Sequence, residues 1–134
     1  MSIKQFALQT ALYSRLSTDS NLTSTLGAGV YDEVPEGSSF PYVAMGESTS
    51  IDFGTKDVDG SENTITIHVW SQYRGSKETK NIMDRLHDLL HNYNLSVSGA
   101  NLINLRFDFA DLIRDPDGIT RHGIIRFRAI LLGS

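Results

Sequence analysis

Residues 62–72 read Glu-Asn-Thr-Ile-Thr-Ile-His-Val-Trp-Ser-Gln and hold the clearest alternating pattern in the chain. Because successive side chains of a β-strand point to opposite faces, this alternation predicts a strand with one apolar and one mixed face. The apolar face carries Ile65, Ile67 and Val69. The mixed face carries Thr64, Thr66, His68 and Trp70. A strand of this kind needs a second layer to cover its apolar side.

The segments before this strand predict further extended structure and a turn. Val30-Tyr31 and residues 40–45 have strand composition, and Pro41 places the second of them at a strand start or a sheet edge. Residues 48–56 are polar but compatible with a strand, and Asp57-Val58-Asp59-Gly60 has the composition of a turn. A β-hairpin is therefore expected around this turn.

The last third of the chain predicts two more strands joined by a tight turn. One apolar face is expected to be formed by Ile103, Leu105, Phe107 and Phe109. Asp115-Pro116-Asp117-Gly118 supplies a proline and a glycine where a tight bend needs them. In the final strand, at about 119–132, the side expected to face the core carries Ile125, Phe127, Ala129 and Leu131.

Two helices with apolar stripes are predicted to cover the sheet. The first spans roughly residues 3–17, where leucines recur every four residues. Asp19 is placed to cap a short second helix that Gly27 or Gly29 ends. The other long helix spans residues 76–93, with a buried stripe predicted to consist of Ile82, Leu86, Leu89, Leu90 and Tyr93. The expected class is α+β, a mostly antiparallel sheet packed against two main α-helices.

The composition bounds the function further. A chain of 134 residues with 40% hydrophobic residues is expected to form a single domain over 1–134. It has no cysteine, so disulfides, thiolate metal sites and a cysteine nucleophile are excluded. It also has no apolar run long enough for a membrane span and no signal-peptide pattern, which makes a cytoplasmic origin the expectation.

The charge pattern argues against sequence-specific DNA binding. The net charge is −4, and residues 1–67 hold three basic against nine acidic side chains. Eight of those carboxylates lie between Asp32 and Glu62, together with one cation, Lys56. A duplex-binding protein usually concentrates basic residues on one face, and this sequence has no such concentration.

No enzyme signature is complete. His87-Asp-Leu-Leu-His91 resembles the zinc-protease pattern, but aspartate replaces the glutamate, no third ligand follows, and both histidines are expected on a solvated helix face. The stretch 55–60 resembles the start of a calcium loop, but Thr66 stands where the bidentate glutamate belongs. Nucleophile-elbow, phosphate-loop and dinucleotide motifs are missing. No cofactor, metal or catalytic residue is predicted.

Two features indicate assembly, each with an alternative. His68, Trp70 and Tyr73 lie on or just beyond the mixed face, where they are either covered by a helix or available for a subunit contact. The acidic region 32–62 and the basic residues Arg121, Arg126 and Arg128 have opposite charge, which suits a head-to-tail contact between subunits. Alternatively, these charges are solvated or pair within one chain.

The order and spacing of these segments resemble a known family. The segments that carry the resemblance are residues 7–16, 30–35, 40–43, 66–71, the 76–93 helix, 104–107, 114–123 and 125–128. Together they are similar to the tail terminator, or tail-completion, proteins of long-tailed phages, prophages and gene transfer agents. The resemblance covers about residues 3–130.

The resemblance implies a structural virion protein, made in the cytoplasm of a bacterial host. Such proteins form a hexameric ring at the head-proximal end of the tail, stop polymerisation of the major tail tube protein, and join the head-side connector. DNA passes through the ring without sequence-specific binding. Two other functions stay open: a head-side stopper or adaptor of the same particle, and a small metal-dependent hydrolase using His87 and His91.

The polar segment 48–61 is the longest stretch without a core-facing pattern, so it is expected to form an exposed hairpin or loop. We place it at a contact with the tube or with a neighbouring subunit. The residues assigned to this interface are Asp52, Phe53, Lys56, Asp57 and Asp59. His68, Trp70, Tyr73, Arg121, Arg126 and Arg128 complete the expected contact set.

Overall fold

In the computed structural model, which describes residues 3–133, five strands form one sheet with the helices on one of its faces. The α-helices are α1 (Gln5–Ser17) and α2 (Lys77–Leu90). The strands are β1 (Gly29–Tyr31), β2 (Tyr42–Asp52), β3 (Gly60–Ser71), β4 (Ala100–Arg114) and β5 (Arg121–Gly133). Their order is β1-β2-β3-β5-β4, antiparallel except for the β1–β2 pair. The predicted α+β class is confirmed.

The helices follow the predicted leucine patterns. Leu8, Leu12 and Leu16 of α1 recur at helical spacing and are all buried. The buried stripe of α2 contains Ile82 and Leu86 as predicted, but the helix ends at Leu90. Tyr93 therefore lies beyond the helix and is 39% exposed, with the Arg15 guanidinium 3.6 Å from its ring centroid. Within residues 3–133, no helix is long and apolar enough to cross a membrane.

The short second helix is a π-helical turn over Asn21–Thr25, attached to α2 by a charge pair. Asp19 Oδ2 accepts the Leu22 N–H at 2.8 Å, the capping role predicted for it. Arg85 donates to both oxygens of the same carboxylate, at 2.7 and 3.0 Å. The hydrogen bond from Arg85 lowers the pKa of Asp19. Gly27, at φ +69°, then ends the turn as predicted.

The core lies between the helices and the inner face of the two central strands. On β3, Ile65, Ile67 and Val69 are buried, as the alternation predicts. On β5, the predicted inward residues are all buried: Ile125, Phe127, Ala129 and Leu131. The register places Ile65 opposite Phe127, so the largest buried side chain sits in the middle of the sheet. Strands that are central in the sheet thus carry the strongest sequence patterns.

Strand β4 does not keep the single apolar face predicted for it. Its pairing with β5 shifts between Leu102 and Asn104 and again between Phe107 and Phe109. An extra residue in one strand reverses the side-chain alternation, so Phe107 stays opposite Phe127 while Phe109 stands opposite Arg126 on the other face. Of the four residues predicted to face the core, only Leu105 is buried.

Candidate assembly surface

One face of the sheet, which we call the outer face, is left open by the helices. Both α-helices and the π-helical turn pack against the opposite side, so no helix within residues 3–133 covers it. His68 and Trp70 of β3 lie on this outer face. Of the two interpretations of these side chains, cover by a helix is therefore wrong, and the face remains available for an intermolecular contact.

Strand register assembles an aromatic cluster at one end of the outer face. Tyr42 of β2 lies opposite Trp70, and Trp70 lies opposite His122 of β5. The indole of Trp70 stacks on the imidazole of His122, with centroids 3.8 Å apart and planes 9° from parallel. Tyr31 and Phe40 extend the cluster through ring contacts with Tyr42. Aromatic side chains in this half-buried state are typical of interface centres.

A carboxylate and two histidines connect three strands beside this cluster. His68 Nδ1 lies 2.7 Å from His122 Nε2, and His68 Nε2 lies 2.9 Å from Glu47 Oε1 of β2. The hydrogen bond from His68 lowers the pKa of Glu47. Burial, followed by the charge of His68, lowers the pKa of His122.

Gly46 allows this arrangement, because a Cβ at that position would lie 2.5 Å from His68 Cδ2 and 2.8 Å from the Thr66 carbonyl oxygen. The β2–β3 register also shifts between Met45 and Ser48, around Gly46 and Glu47. Neither Glu47 nor His122 was predicted as part of the candidate surface. Their partnership depends on strand register and on this irregularity, and no pattern in the sequence reveals either.

The arginines predicted to attract another subunit are engaged within the chain. Arg126 Nε donates to Asp108 Oδ2 at 2.8 Å, and Arg128 donates to Asp108 Oδ1 at 2.8 Å. Arg128 also lies 3.4 Å from Glu62. Of the two alternatives for these charges, pairing within one chain is therefore the one the geometry favours for Arg126 and Arg128.

Arg121 and Tyr73 do not join the other predicted interface residues. Arg121 is 8% exposed, lies on the inner face, and donates to the carbonyl oxygens of Gly118 and Ile119 in its own turn. Because successive side chains of a strand point to opposite faces, the odd-numbered Arg121 lies on the opposite face of β5 from Arg126 and Arg128. Tyr73 lies past the end of β3 and borders a cavity formed with the start of α2 and the residues around Leu26.

The turn predicted at 57–60 lies in a longer loop, residues 53–59, between β2 and β3, and we call it the 53–59 loop. Two of its backbone bonds are local: the Thr55 N–H donates to the Val58 carbonyl at 2.8 Å, and the Phe53 N–H donates to the Gly60 carbonyl at 3.0 Å. A third is long-range, from the Gly133 N–H to the Asp59 carbonyl at 2.6 Å. Gly54 cannot carry a side chain without strain, since a Cβ there would lie 2.7 Å from the Val58 carbonyl oxygen.

Exposed apolar side chains accompany the acidic residues of this loop. Phe53 is 51% exposed, Val58 44% and Ile51, at the end of β2, 62%. Asp52, Lys56, Asp57 and Asp59 are exposed beside them. Large apolar groups concentrated at a solvated turn are typical of contact surfaces. The loop lies at the end of the sheet opposite to the aromatic cluster, since Gly60 and Ser71 are the two ends of β3.

The His87/His91 pair lies on a partly solvated helix face: 43% of the His87 side chain is exposed, but both rings also make contacts that the sequence does not predict. Its rings stack with centroids 4.8 Å apart, and His87 also packs against Phe107 of β4. His91 follows the last helical residue, and its Nδ1 accepts the Phe107 N–H at 2.9 Å. Among residues 3–133, no group of three or more His, Cys, Asp or Glu side chains is placed to hold a metal ion.

Comparisons with known proteins give the context of this surface. The family model described as tail completion protein gp17 matches residues 10–132. The tail completion protein gp17 of Bacillus phage SPP1 is 34% identical over 89 residues, which is 66% of this chain and 66% of that relative. The match thus spans slightly less than two thirds of the relative's length.

Solved structures extend the likeness to nearly the whole chain. A chain in the virion of a native gene transfer agent particle is 29% identical, with a TM-score of 0.92 over 99% of this chain and 100% of that one. The structure of bacteriophage SPP1 gp17 is 27% identical, with a TM-score of 0.64 over 96% of this chain and 91% of that one.

Proposed function

The chain belongs to the tail completion protein gp17 family, and we propose that it closes the head-proximal end of a phage-type tail tube as a ring of six copies. In this role it ends polymerisation of the major tail tube protein and offers the surface to which the head-side connector binds. It acts as a structural part of the virion and not as an enzyme, after synthesis in the cytoplasm of a bacterial host.

The observation that carries this proposal is the open outer face with its aromatic cluster. A protomer that leaves Trp70, Tyr42 and Phe40 partly exposed on a sheet face without helices has a surface suited to a partner. The near-complete likeness to a chain of a gene transfer agent virion supports the same role. We assign the outer face to the contact between neighbouring subunits of the ring.

The 53–59 loop is assigned to the second contact, with the tube protein or with a neighbouring subunit. It combines exposed Phe53 and Val58 with an acidic rim, and its backbone bonds are mostly internal. A loop of this kind can change its conformation on binding at little cost to the sheet. Since the aromatic cluster lies at the other end of β3, one protomer can make both contacts at once.

Ion pairs between subunits contribute less to the proposed ring than the sequence indicates. Asp108 and Glu62 neutralise Arg126 and Arg128 within the protomer, so these cations offer little to an acidic neighbour. The net charge of −4 instead suits passage of DNA through the ring, because carboxylates repel phosphates and limit non-specific binding.

The proposal can be tested by deleting the gene for this chain and examining the particles that the cells then produce. We expect tail tubes of irregular and excessive length that fail to join heads, since nothing stops tube growth. Electron microscopy of particles from producing cells, with and without the gene, measures the tail lengths. The same cells supplied with the intact gene are the control and should recover tails of uniform length.

Two other outcomes would contradict the terminator role in different ways. Tails of normal, uniform length that do not join heads would identify a head-side stopper or adaptor instead. Complete particles of normal morphology would show that the chain has no structural part in the tail.

A further inference from the structure

Three titratable side chains lie in a line across β2, β3 and β5 on the outer face. Both ring nitrogens of His68 are engaged, Nε2 with the Glu47 carboxylate at 2.9 Å and Nδ1 with His122 Nε2 at 2.7 Å. Trp70 stacks on the far ring, so His122 is held between an indole and a second imidazole. The role proposed above does not use this arrangement.

The short contact between the two imidazoles limits how many protons the pair can hold. A hydrogen bond between two ring nitrogens needs an N–H on one and a lone pair on the other. The bond is possible when both rings are neutral, and also when one is an imidazolium. With two imidazolium rings, both nitrogens carry hydrogen and both rings are positive, so the bond must break.

We propose that Glu47, His68, His122 and Trp70 form a proton-sensitive clamp, which joins β2, β3 and β5 on the outer face while the histidine pair holds one proton charge at most. A second proton separates the two imidazoles and opens the clamp. Glu47 favours the first charge on His68, because the carboxylate accepts a charge-assisted hydrogen bond from that ring. The second proton must then enter His122.

The charged groups around His122 set where the second proton binds. Glu47 of β2 and Asp115 of the β4–β5 turn favour a charge on His122. His68 of β3 and burial oppose it, with burial the larger effect, and together they lower the pKa of His122 below its ordinary 6.5. Further along the same face, Asp111 of β4 stands opposite Ile124, and Arg126 of β5 is paired with Asp108.

The lowered pKa fixes the direction of the pH effect on folding. Because the unfolded chain binds this proton more readily than the folded one, the clamp contributes its full stability above pH 6.5. That contribution is lost as the pH falls through the lowered pKa of His122. At the same time the aromatic cluster gains a positive charge, which weakens any contact made through it; only this last consequence depends on the proposed function.

The single tryptophan of the chain makes the clamp observable. Trp70 stacks on His122, and an imidazolium quenches indole fluorescence more strongly than a neutral imidazole does. We expect the fluorescence of the purified protein to fall between pH 8 and pH 5, with a midpoint below 6.5. His68→Gln removes the opposing charge, so the midpoint should rise.

Two variants complete the fluorescence test. His122→Gln should abolish the transition, whereas His87→Gln, on α2 at the other side of the sheet, should leave its midpoint unchanged. A transition that persists in His122→Gln would overturn the proposal, as would a midpoint at or above 6.5 that His68→Gln does not move.

If the His122 variant does not fold, a second measurement on the unaltered protein tests the clamp. The imidazole ring-proton shifts of His68 and His122, followed by NMR over the same pH range, should change together, because the proton that enters His122 breaks the bond between the two rings. A His122 transition that leaves the His68 ring protons unmoved would contradict the clamp.

Discussion

Replacing residues 54–59 by the dipeptide Asn-Gly is expected to leave a folded protomer that no longer completes tails. Phe53 and Gly60 already form a hydrogen-bonded pair, so a two-residue turn can join them without changing the register of β2 and β3. The folding cost should be small, about 1 kcal/mol, because within residues 3–133 the change removes a single long-range backbone hydrogen bond, from the Gly133 N–H to the Asp59 carbonyl.

Complementation of cells that lack the gene measures this effect. With the shortened loop, we expect joined heads and tails to fall to the number seen with no gene at all, while circular dichroism of the purified variant stays unchanged. The double substitution Phe53→Ala, Val58→Ser should have the same effect without altering loop length.

A matched control for the loop lies at the opposite end of the sheet. Ile119→Ser removes a side chain that is 59% exposed in the β4–β5 turn and should leave tail completion intact. Normal tails with the shortened loop would exclude the loop from any essential contact, and failure of the control as well would show that the effect is not specific to the loop.

Phe127→Ala is expected to lower the free energy of unfolding by about 3–5 kcal/mol, the range for removal of a fully buried phenylalanine. Phe127 lies on β5 in the centre of the sheet, has no exposed surface, and packs edge-on against Phe107. The loss combines the transfer of the ring to water with the cavity that remains between the sheet and the helices.

Urea unfolding followed by circular dichroism measures this stability, with Phe6→Ala as the control. Phe6 is on α1 and is 78% exposed, so its removal should change the free energy of unfolding by less than about 0.5 kcal/mol. Similar losses from the two substitutions would contradict the central position of β5 in the fold.

The strands that could be predicted are those in which burial of one face alone determines the alternation of apolar and polar residues. Strands β3 and β5 have helices on one face only, so alternation alone identifies their inward residues, from Ile65 to Leu131. Strand β4 is an edge strand, and two bulges reverse its alternation, so the apolar series from Ile103 to Phe109 divides between the two faces. The position of a bulge depends on the partner strand, which the local sequence does not specify.

The candidate surface could be predicted in part, for a similar reason. The parity of β3 places His68 and Trp70 on one face, and the sequence shows this directly. Their partners Glu47 and His122 come from strands that are 21 and 54 residues away from His68, so only the three-dimensional register brings them together. The parity of β5 likewise separates Arg121 from Arg126, although their charges alone indicate one patch.

Cryo-electron microscopy of an intact particle that contains this chain tests the central claim most directly. The proposed function predicts a closed ring of six copies between the last ring of tube protein and the head-side connector, with the outer faces at subunit contacts and the 53–59 loops against the tube or a neighbour. Density for this chain elsewhere in the particle, or a ring that makes no contact with the tube, would contradict the account.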